Sequence, residues 1–367
     1  MSSENVSPVR ADVLKDFCIR VFLKLGVPEE DAWIAAEVLV AADLRGVDSH
    51  GVARLRRYVR GLSQGMMLPE PDVQIVTETP ATALIDAGEG LGQPVSYRAM
   101  EKAIAKAKEV GAGFVTVRNS NHYGIAGYYA MMALEHDCVG ISMTNASALV
   151  LPTFGRDAML GTNPIAVAAP GGEEWPYVLD MATSTVPRGK LEVYNRLGKP
   201  IPLGWATDEM GTPSADAAQV LDNFDSHAGG GLLPLGGAGE LMSGHKGYGL
   251  ALLVEVMCAA LSGSAFSSGT YPKAADGSPL PADIGHFFGA WRVDAFRPIA
   301  EFKASMDGLQ RQLKNAPKAE GAERIYVHGE KEREKKEQRS RDGISLNPKV
   351  YADLQAIAAE LDESFAA

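Results

Sequence analysis

Hydrophobic positions recur at helical spacing at both ends of the chain and gather into short β-branched runs in its middle. Val13, Leu14, Phe17, Val21 and Leu25 share one helical face, and Gly26 closes that segment. Pro28 opens a second helix reaching about Leu44, with Glu29, Glu30 and Asp31 placed favourably against the positive end of its dipole. A third helix starts near Asp48 or Ser49, either of which can cap it, and continues to about Leu62. At 100° per residue His50, Arg54 and Tyr58 form a polar stripe on that helix, away from Val52, Leu55, Val59 and Leu62.

From about residue 75 the pattern changes. Val73–Val76, Ala83–Ile85, Phe114–Val117, Gly140–Thr144, Ile165–Ala168 and Tyr177–Leu179 read as strands, with one strong helix over Ser96–Glu109. An apolar helix covers Leu250–Leu261, and the Gly-, Ser- and Pro-rich stretch from 262 to 290 reads as loop. A strand near Gly289–Phe296 and a helix over Ile299–Leu313 follow. Glu330–Arg341 reads as a solvated helix with Glu332–Lys336 and Glu337–Arg341 pairs. The last helix, Pro348–Phe365, aligns Val350, Leu354, Ile357 and Leu361. The fold class is therefore α/β of the α+β type. Helical sequence at both ends predicts one discontinuous helical domain, 1–75 with 331–367, around a β-rich domain, 76–330.

Composition narrows the function. The chain has 367 residues and a formal charge of −11, from 35 basic and 46 acidic side chains. Such a balance argues against nucleic-acid or anionic-membrane partners, which need a basic footprint. Cys18, Cys138 and Cys258 are far apart in apolar surroundings, and no spacing suggests a disulfide framework or a metal site. No signal-peptide pattern opens the chain, and its longest apolar stretch is too short for a bilayer, so a cytoplasmic protein is expected.

Gly88-Glu89-Gly90-Leu91-Gly92 lies between a strand and a helix, but Gln93 stands where a dinucleotide fingerprint needs its third glycine. We read it as a turn. Chemistry is carried elsewhere. In Ser49-His50-Gly51-Val52-Ala53-Arg54 a hydroxyl, an imidazole and a guanidinium, with the Tyr58 phenol, suit a small oxidised carboxylate; Arg54 can grip it with two parallel hydrogen bonds. His122, in Ser120-Asn121-His122-Tyr123-Gly124, follows a buried strand and can exchange a proton near neutrality. Gly244-His245-Lys246-Gly247 opens an apolar helix, where backbone N–H groups and a lysine suit a phosphate. Taken singly, each histidine is more often structural than catalytic, and His245 lacks the partners of a zinc site.

Together these segments resemble the second malate/L-lactate dehydrogenase family, which is unrelated to the Rossmann-type lactate and malate dehydrogenases. The matches are Leu44–Gly51, Ser120–Gly124, Gly161–Pro164, Leu179–Ser184, Gly189–Tyr194 and Gly244–Leu250, in the family's order across nearly the whole chain. The resemblance implies a non-Rossmann nucleotide-binding domain with a mixed sheet, and a homodimer whose active site lies near the domain and subunit boundary. It also implies hydride transfer between NAD(H) or NADP(H) and a small 2-oxo or 2-hydroxy acid, malate or a lactate-like acid, without a metal.

Family members differ on which histidine moves the proton; His122 is the first choice, with His50 beside it. Ser49, Arg54 and Tyr58 would hold the substrate. Asp180, Met181 and Ala182, His245 and Lys246, and Gly329 and Glu330 match the nucleotide site. The family's Pro-Gly-Glu is here His328-Gly329-Glu330, which weakens the last pair. The alternatives are a reductase of a sugar-derived 2-oxo acid or a cyclic imine carboxylate, and a non-catalytic nucleotide-binding relative. The presence of both histidines argues against the last.

Overall fold

The computed structural model describes residues 7–365. Helix α1 spans Ala11–Lys24, α2 Glu29–Leu44 and α3 Leu55–Ser63. Strands β1 (Gln74–Glu78) and β2 (Thr82–Asp86) lead into α4 (Gly92–Val110) and β3 (Ala112–Ser120). Then come α5 (Ala126–Met132), β4 (Cys138–Thr144), β5 (Ile165–Ala169) and β6 (Tyr177–Met181). Helices α6 (Arg188–Arg196), α7 (Ala217–Ser226) and α8 (Gly244–Glu255) precede β7 (Ile284–Arg292). Finally α9 runs over Ile299–Lys314, α10 over Glu330–Asp342 and α11 over Pro348–Glu360.

The seven strands form one mixed sheet in the order β1-β2-β3-β7-β4-β5-β6. Only β2 and β3 pair in parallel; every other neighbouring pair is antiparallel. Helix α4 makes that one parallel crossover, so the glycine-rich turn at 88–92 does sit between strand and helix. It differs from a phosphate loop in that protein covers its glycines: a Cβ at Gly88 would lie 2.7 Å from the Asp72 carbonyl, and one at Gly90 2.4 Å from Pro71.

Strand β7 lies in the middle of the sheet and begins at Ile284, about five residues before the strand read from sequence. Gly285, His286 and Gly289 interrupt its apolar run, and burial on both faces removes the alternation that marks a half-exposed strand. Ala-rich α4 and α5 cover one face, in a core of Ala99, Met100, Ala103, Ala107, Val115, Val117, Tyr129, Ala130 and Phe288.

A second core joins the two ends of the chain. Leu14, Phe17, Val21 and Phe22 of α1, Leu39 of α2, Leu55 and Tyr58 of α3, and Leu354 and Ile357 of α11 are buried together. Val9 and Ile344 exchange backbone hydrogen bonds of 2.9 and 2.8 Å beside it. Ile34 and Val38 on another face of α2 belong to the sheet's core, so α2 is the element that ties the two cores together. The chemistry collects along this seam.

Candidate active site

The stretch after α2 is not the capped helix that its residues suggest. Residues 48–51 form a turn, Val52–Arg54 a short 3-10 segment, and the α-helix starts only at Leu55. Asp43 decides this. Its fully buried carboxylate accepts the Val52 N–H at 2.8 Å, taking the place of a cap by Asp48 or Ser49. A Cβ at Gly51 would sit 1.9 Å from Asp43 Oδ1, so only glycine lets the turn close over that carboxylate. Burial lifts the Asp43 pKa to about 7, opposed by the Val52 N–H and by the Arg339 charge. Arg339 of α10 donates both to the Asp43 carbonyl and to Asp48.

This turn breaks the helical stripe read from sequence, and Tyr58 faces inward instead of outward. Fully buried, its hydroxyl lies 2.6 Å from His122 Nδ1. His122 sits in the loop after β3, and its ring stacks on that of His50 with centroids 5.5 Å apart and planes 20° from parallel. Ser49 Oγ lies 2.9 Å from His50 Nδ1. The Arg54 Nε–H donates to the Ser49 carbonyl at 2.7 Å, which leaves its terminal nitrogens for a ligand. Ser49, His50, Arg54, Tyr58 and His122 are thus brought into one cluster at the seam.

Both imidazoles are held neutral at ordinary pH. Burial, then the Arg54 and Arg57 charges, bring the His50 pKa down to about 4. Burial, Arg57, His50 and Arg54 hold His122 well below its usual range. The Tyr58 phenol is pushed up by burial and keeps its proton. Tyr58 therefore engages one ring nitrogen of His122 and leaves Nε2 for substrate, the arrangement a general acid–base group needs.

Sequence reading did not single out two neighbours of this cluster. His286 of β7 is wholly buried, with Nδ1 2.8 Å from Thr144 Oγ1 and Nε2 2.9 Å from Ser120 Oγ. Stacked on Tyr123 at 4.6 Å, it pins the end of β3 from which His122 emerges. Burial takes its pKa down to about 3. A polar residue inside an otherwise apolar strand was the available signal. Arg57 is the other, and only its spacing of three from Arg54 hints at it.

Beside the cluster opens a cleft of about 460 Å³, walled by Arg45, Val47, Ser49 and His50 on one side, Gly124–Gly127 at the back, and Val178, Asp180 and Ala182 of the β6 region opposite. Tyr326–Gly329, Lys331 and Glu332 close it. The charge run at 330–341 is therefore more than a solvated face, because α10 packs along α2 and turns its first residues into the cleft. The intrahelical pair it forms is Arg333–Glu337, at 2.9 Å, and not the two read from sequence.

Asp180 accepts the Gly127 N–H at 2.8 Å. Behind the wall, Asn163 and Asn145 donate to the two oxygens of buried Glu255 at 2.9 and 3.1 Å and fix the Thr162–Pro164 edge. Small residues at 124, 126, 127, 182 and 329 leave room for a flat group, Arg45 and Lys331 supply positive charge for phosphates, and Asp180 supplies an acceptor for hydroxyls. The donor set fits a nicotinamide nucleotide.

Asp180, Ala182 and Gly329 line this cleft, and Met181 lies between the first two on β6. Glu330 is buried with its carboxylate turned to the Val327 N–H (2.9 Å), Lys314 (3.1 Å) and Arg324 (3.3 Å), so it braces the 324–330 loop and has no oxygen to spare. His245 and Lys246 stand exposed at the start of α8 and form no part of the cleft wall in this chain. No group of three or more His, Cys, Asp or Glu side chains arranged to hold a metal ion occurs among the described residues. Among them too, no helix is long and apolar enough to cross a membrane.

A mixed-sheet fold with paired imidazoles beside a nucleotide-sized cleft defines an oxidoreductase of small hydroxy acids outside the Rossmann group. The chain belongs to the malate/L-lactate dehydrogenase family, whose model matches residues 9–355. It is 50% identical to a malate dehydrogenase of Pyrococcus horikoshii over 355 residues, 97% of this chain and 96% of that one. It is 43% identical to an L-sulfolactate dehydrogenase of Methanocaldococcus jannaschii over 347 residues, 95% of each. The solved structure of the Pyrococcus horikoshii malate dehydrogenase superposes with a TM-score of 0.89 at 45% identity, covering 100% of this chain and 99% of that one. The protein is thus a 2-hydroxy-acid dehydrogenase that uses a nicotinamide cofactor.

Proposed function

We propose that this enzyme interconverts malate and oxaloacetate, with His122 as the group that takes and returns the proton. The observation that carries this reading is the Tyr58–His122 contact at 2.6 Å beside an arginine, Arg54, whose terminal nitrogens have no hydrogen-bond partner among the described residues. The names of the two similar dehydrogenases, malate and sulfolactate, support the substrate class. A nicotinamide held in the cleft would supply the hydride donor or acceptor for substrate C2.

In the oxidative direction Arg54 grips the C1 carboxylate, and neutral His122 accepts the hydroxyl proton at Nε2 while Tyr58 holds the ring at its Nδ1 edge. The bound anion offsets the nearby guanidinium charges and raises the imidazole's proton affinity, so that His122 can hold the proton for the return step. Ser49 and His50 reach the substrate oxygens. Asp180, Met181, Ala182 and Gly329, with Arg45 and Lys331, would hold the nucleotide, whereas Glu330 supports it through the loop. The common core of α1, α2, α3 and α11 supports the division into a helical domain, 1–75 with 331–367, and a nucleotide domain, 76–330.

The test follows the reduced-nicotinamide absorbance with each cofactor and a panel of 2-oxo acids. Oxaloacetate should be consumed fastest; no turnover with any 2-oxo acid would overturn the proposal. In the same assay Arg54→Ala should raise KM about 10²-fold, matching one lost charge-assisted fork of roughly 1.5–3 kcal/mol. An unchanged KM for every acid removes the clamp.

We further propose a homodimer built on α8. Leu250, Leu252, Leu253, Val256 and Leu261 are all exposed along that helix and its continuation, and a run of exposed apolar side chains suits an interaction surface. It begins at His245 and Lys246, so a second copy seated there brings both side chains to the subunit boundary. Sedimentation should give twice 39.0 kDa, and Leu253→Glu should return the monomer mass. A monomeric wild type, or a variant that stays dimeric, overturns the assignment.

A further inference from the structure

Three arginines, Arg54, Arg56 and Arg57, lie within one turn at the start of α3, and Arg57 has no role so far. Arg56 turns toward α11, to Asp353 (2.8 Å) and Glu360. Arg54 and Arg57 point the other way, three residues apart on one face. Among the described residues neither has an ion pair. Arg54 is half-buried and feels Glu192, but that carboxylate is held by Arg188 at 3.2 Å. Arg57, also half-buried, donates from Nη2 to the Tyr271 hydroxyl and sits with its guanidinium carbon 5.4 Å from the centroid of that ring. Tyr271 belongs to the long loop before β7, so Arg57 is steadied by a phenol and keeps its full charge unmatched. It adjoins Tyr58, the residue in contact with His122.

The charge count is unusual for a half-buried site. Two guanidiniums without acidic partners face two imidazoles held neutral, which leaves a surplus of two positive charges. Positive charges left unmatched out of water are costly, and the surplus is relieved only when a ligand brings the matching anions. One carboxylate on Arg54 cancels one of them. We propose that Arg57, oriented by Tyr271, grips a second acidic group on C3 of the substrate, carboxylate or sulfonate, and is the residue by which this enzyme prefers dianionic over monoanionic 2-oxo acids. This assignment rests on the 2-oxo-acid chemistry proposed above and adds the substrate class to it. Side chains at i and i+3 of a helix project about 5–6 Å apart at Cβ, a separation the two ends of a four-atom acid can span.

The experiment compares kcat/KM for oxaloacetate, 3-sulfopyruvate and pyruvate in the wild type, Arg57→Gln and Tyr271→Phe. In Arg57→Gln the oxaloacetate-to-pyruvate ratio should fall about 100-fold, the worth of one charge-assisted fork. Tyr271→Phe should lower it a few-fold. The ratio is the informative quantity, because any effect of Arg57 on the histidines' proton affinity acts on all three substrates alike. A matching fall for 3-sulfopyruvate shows a reader of charge; a fall for oxaloacetate alone shows a reader of the carboxylate fork. An unchanged ratio, or equal losses on all three acids, overturns the proposal.

If Arg57→Gln does not fold, Arg57→Lys and a wild-type measurement decide. Succinate should bind the enzyme with reduced cofactor at least ten-fold tighter than propionate, and equal affinities overturn the clamp. A wild type that turns over none of the three acids removes the underlying activity instead. A wild type that favours pyruvate, with a ratio indifferent to residue 57, removes only the clamp.

Discussion

Replacing His122 by alanine should lower turnover by several hundred-fold or more and leave cofactor affinity within about three-fold. Proton transfer by a positioned imidazole contributes roughly 10²–10⁴ to rate. Here the positioning is explicit: Tyr58 holds Nδ1 at 2.6 Å, and His286 anchors the strand end behind the ring. His122 is absent from the cleft wall, whereas His50 is part of it, so removing His122 spares the nucleotide's surroundings. A turnover within ten-fold of wild type would sink the assignment. His50→Ala in parallel separates the two histidines, since a larger loss there would exchange their roles. The pH profile is an independent check. Because burial and the guanidiniums hold the free-enzyme His122 below its usual 6.5, kcat/KM for the hydroxy acid should stay level down to that pH and fall only on the acid side of it.

The second large effect is expected at Gly92, the first residue of α4. A Cβ there would lie 2.2 Å from the Asn121 carbonyl oxygen, and 2.7 and 2.8 Å from the carbonyl oxygen and carbon of His122, closer than the 3.0 Å below which real Cβ contacts are essentially never found. All three are backbone atoms, so no rotamer change relieves the clash. Either the Asn121–His122 segment or the first turn of α4 must move. Overpacking of this kind costs about 1–3 kcal/mol, and a displacement of about 1 Å at a catalytic group can cost roughly 10² in rate. Gly92→Ala should therefore lower Tm by several degrees and kcat/KM by about two orders of magnitude together. Gly308→Ala is the matched control: it lies on α9, meets nothing within 4 Å and should leave activity unchanged. A Gly92→Ala enzyme with wild-type Tm and kcat/KM would show that the turn has slack.

The same two sites show how far the chain could be read without coordinates. Ser49, His50, Arg54 and Tyr58 were legible as candidates because hydroxyl, imidazole, guanidinium and phenol fall close together in a short segment, and His122 because several separated segments match one family in order. Arg57 and His286 were not. A guanidinium three residues after another, or an imidazole in an apolar strand, takes on meaning only when its partners are known. Those partners, Tyr271, Ser120 and Thr144, lie 142 to 214 residues away along the chain.

What the sequence alone determined is the class of structure and the family: helices at the ends, strands in the middle, and motifs that match one dehydrogenase family in order, with imidazoles and an arginine as the candidates for its chemistry. These follow from periodicity, composition and residue type, which are local properties. Tertiary structure decided the rest. It set the sheet order, the inward turn of Tyr58 under the constraint of Asp43, the internal use of Glu330, and the displacement of His245 and Lys246 from this chain's cleft. Each depends on which distant groups satisfy a buried charge or hydrogen bond, and that pairing is not a local property of the chain.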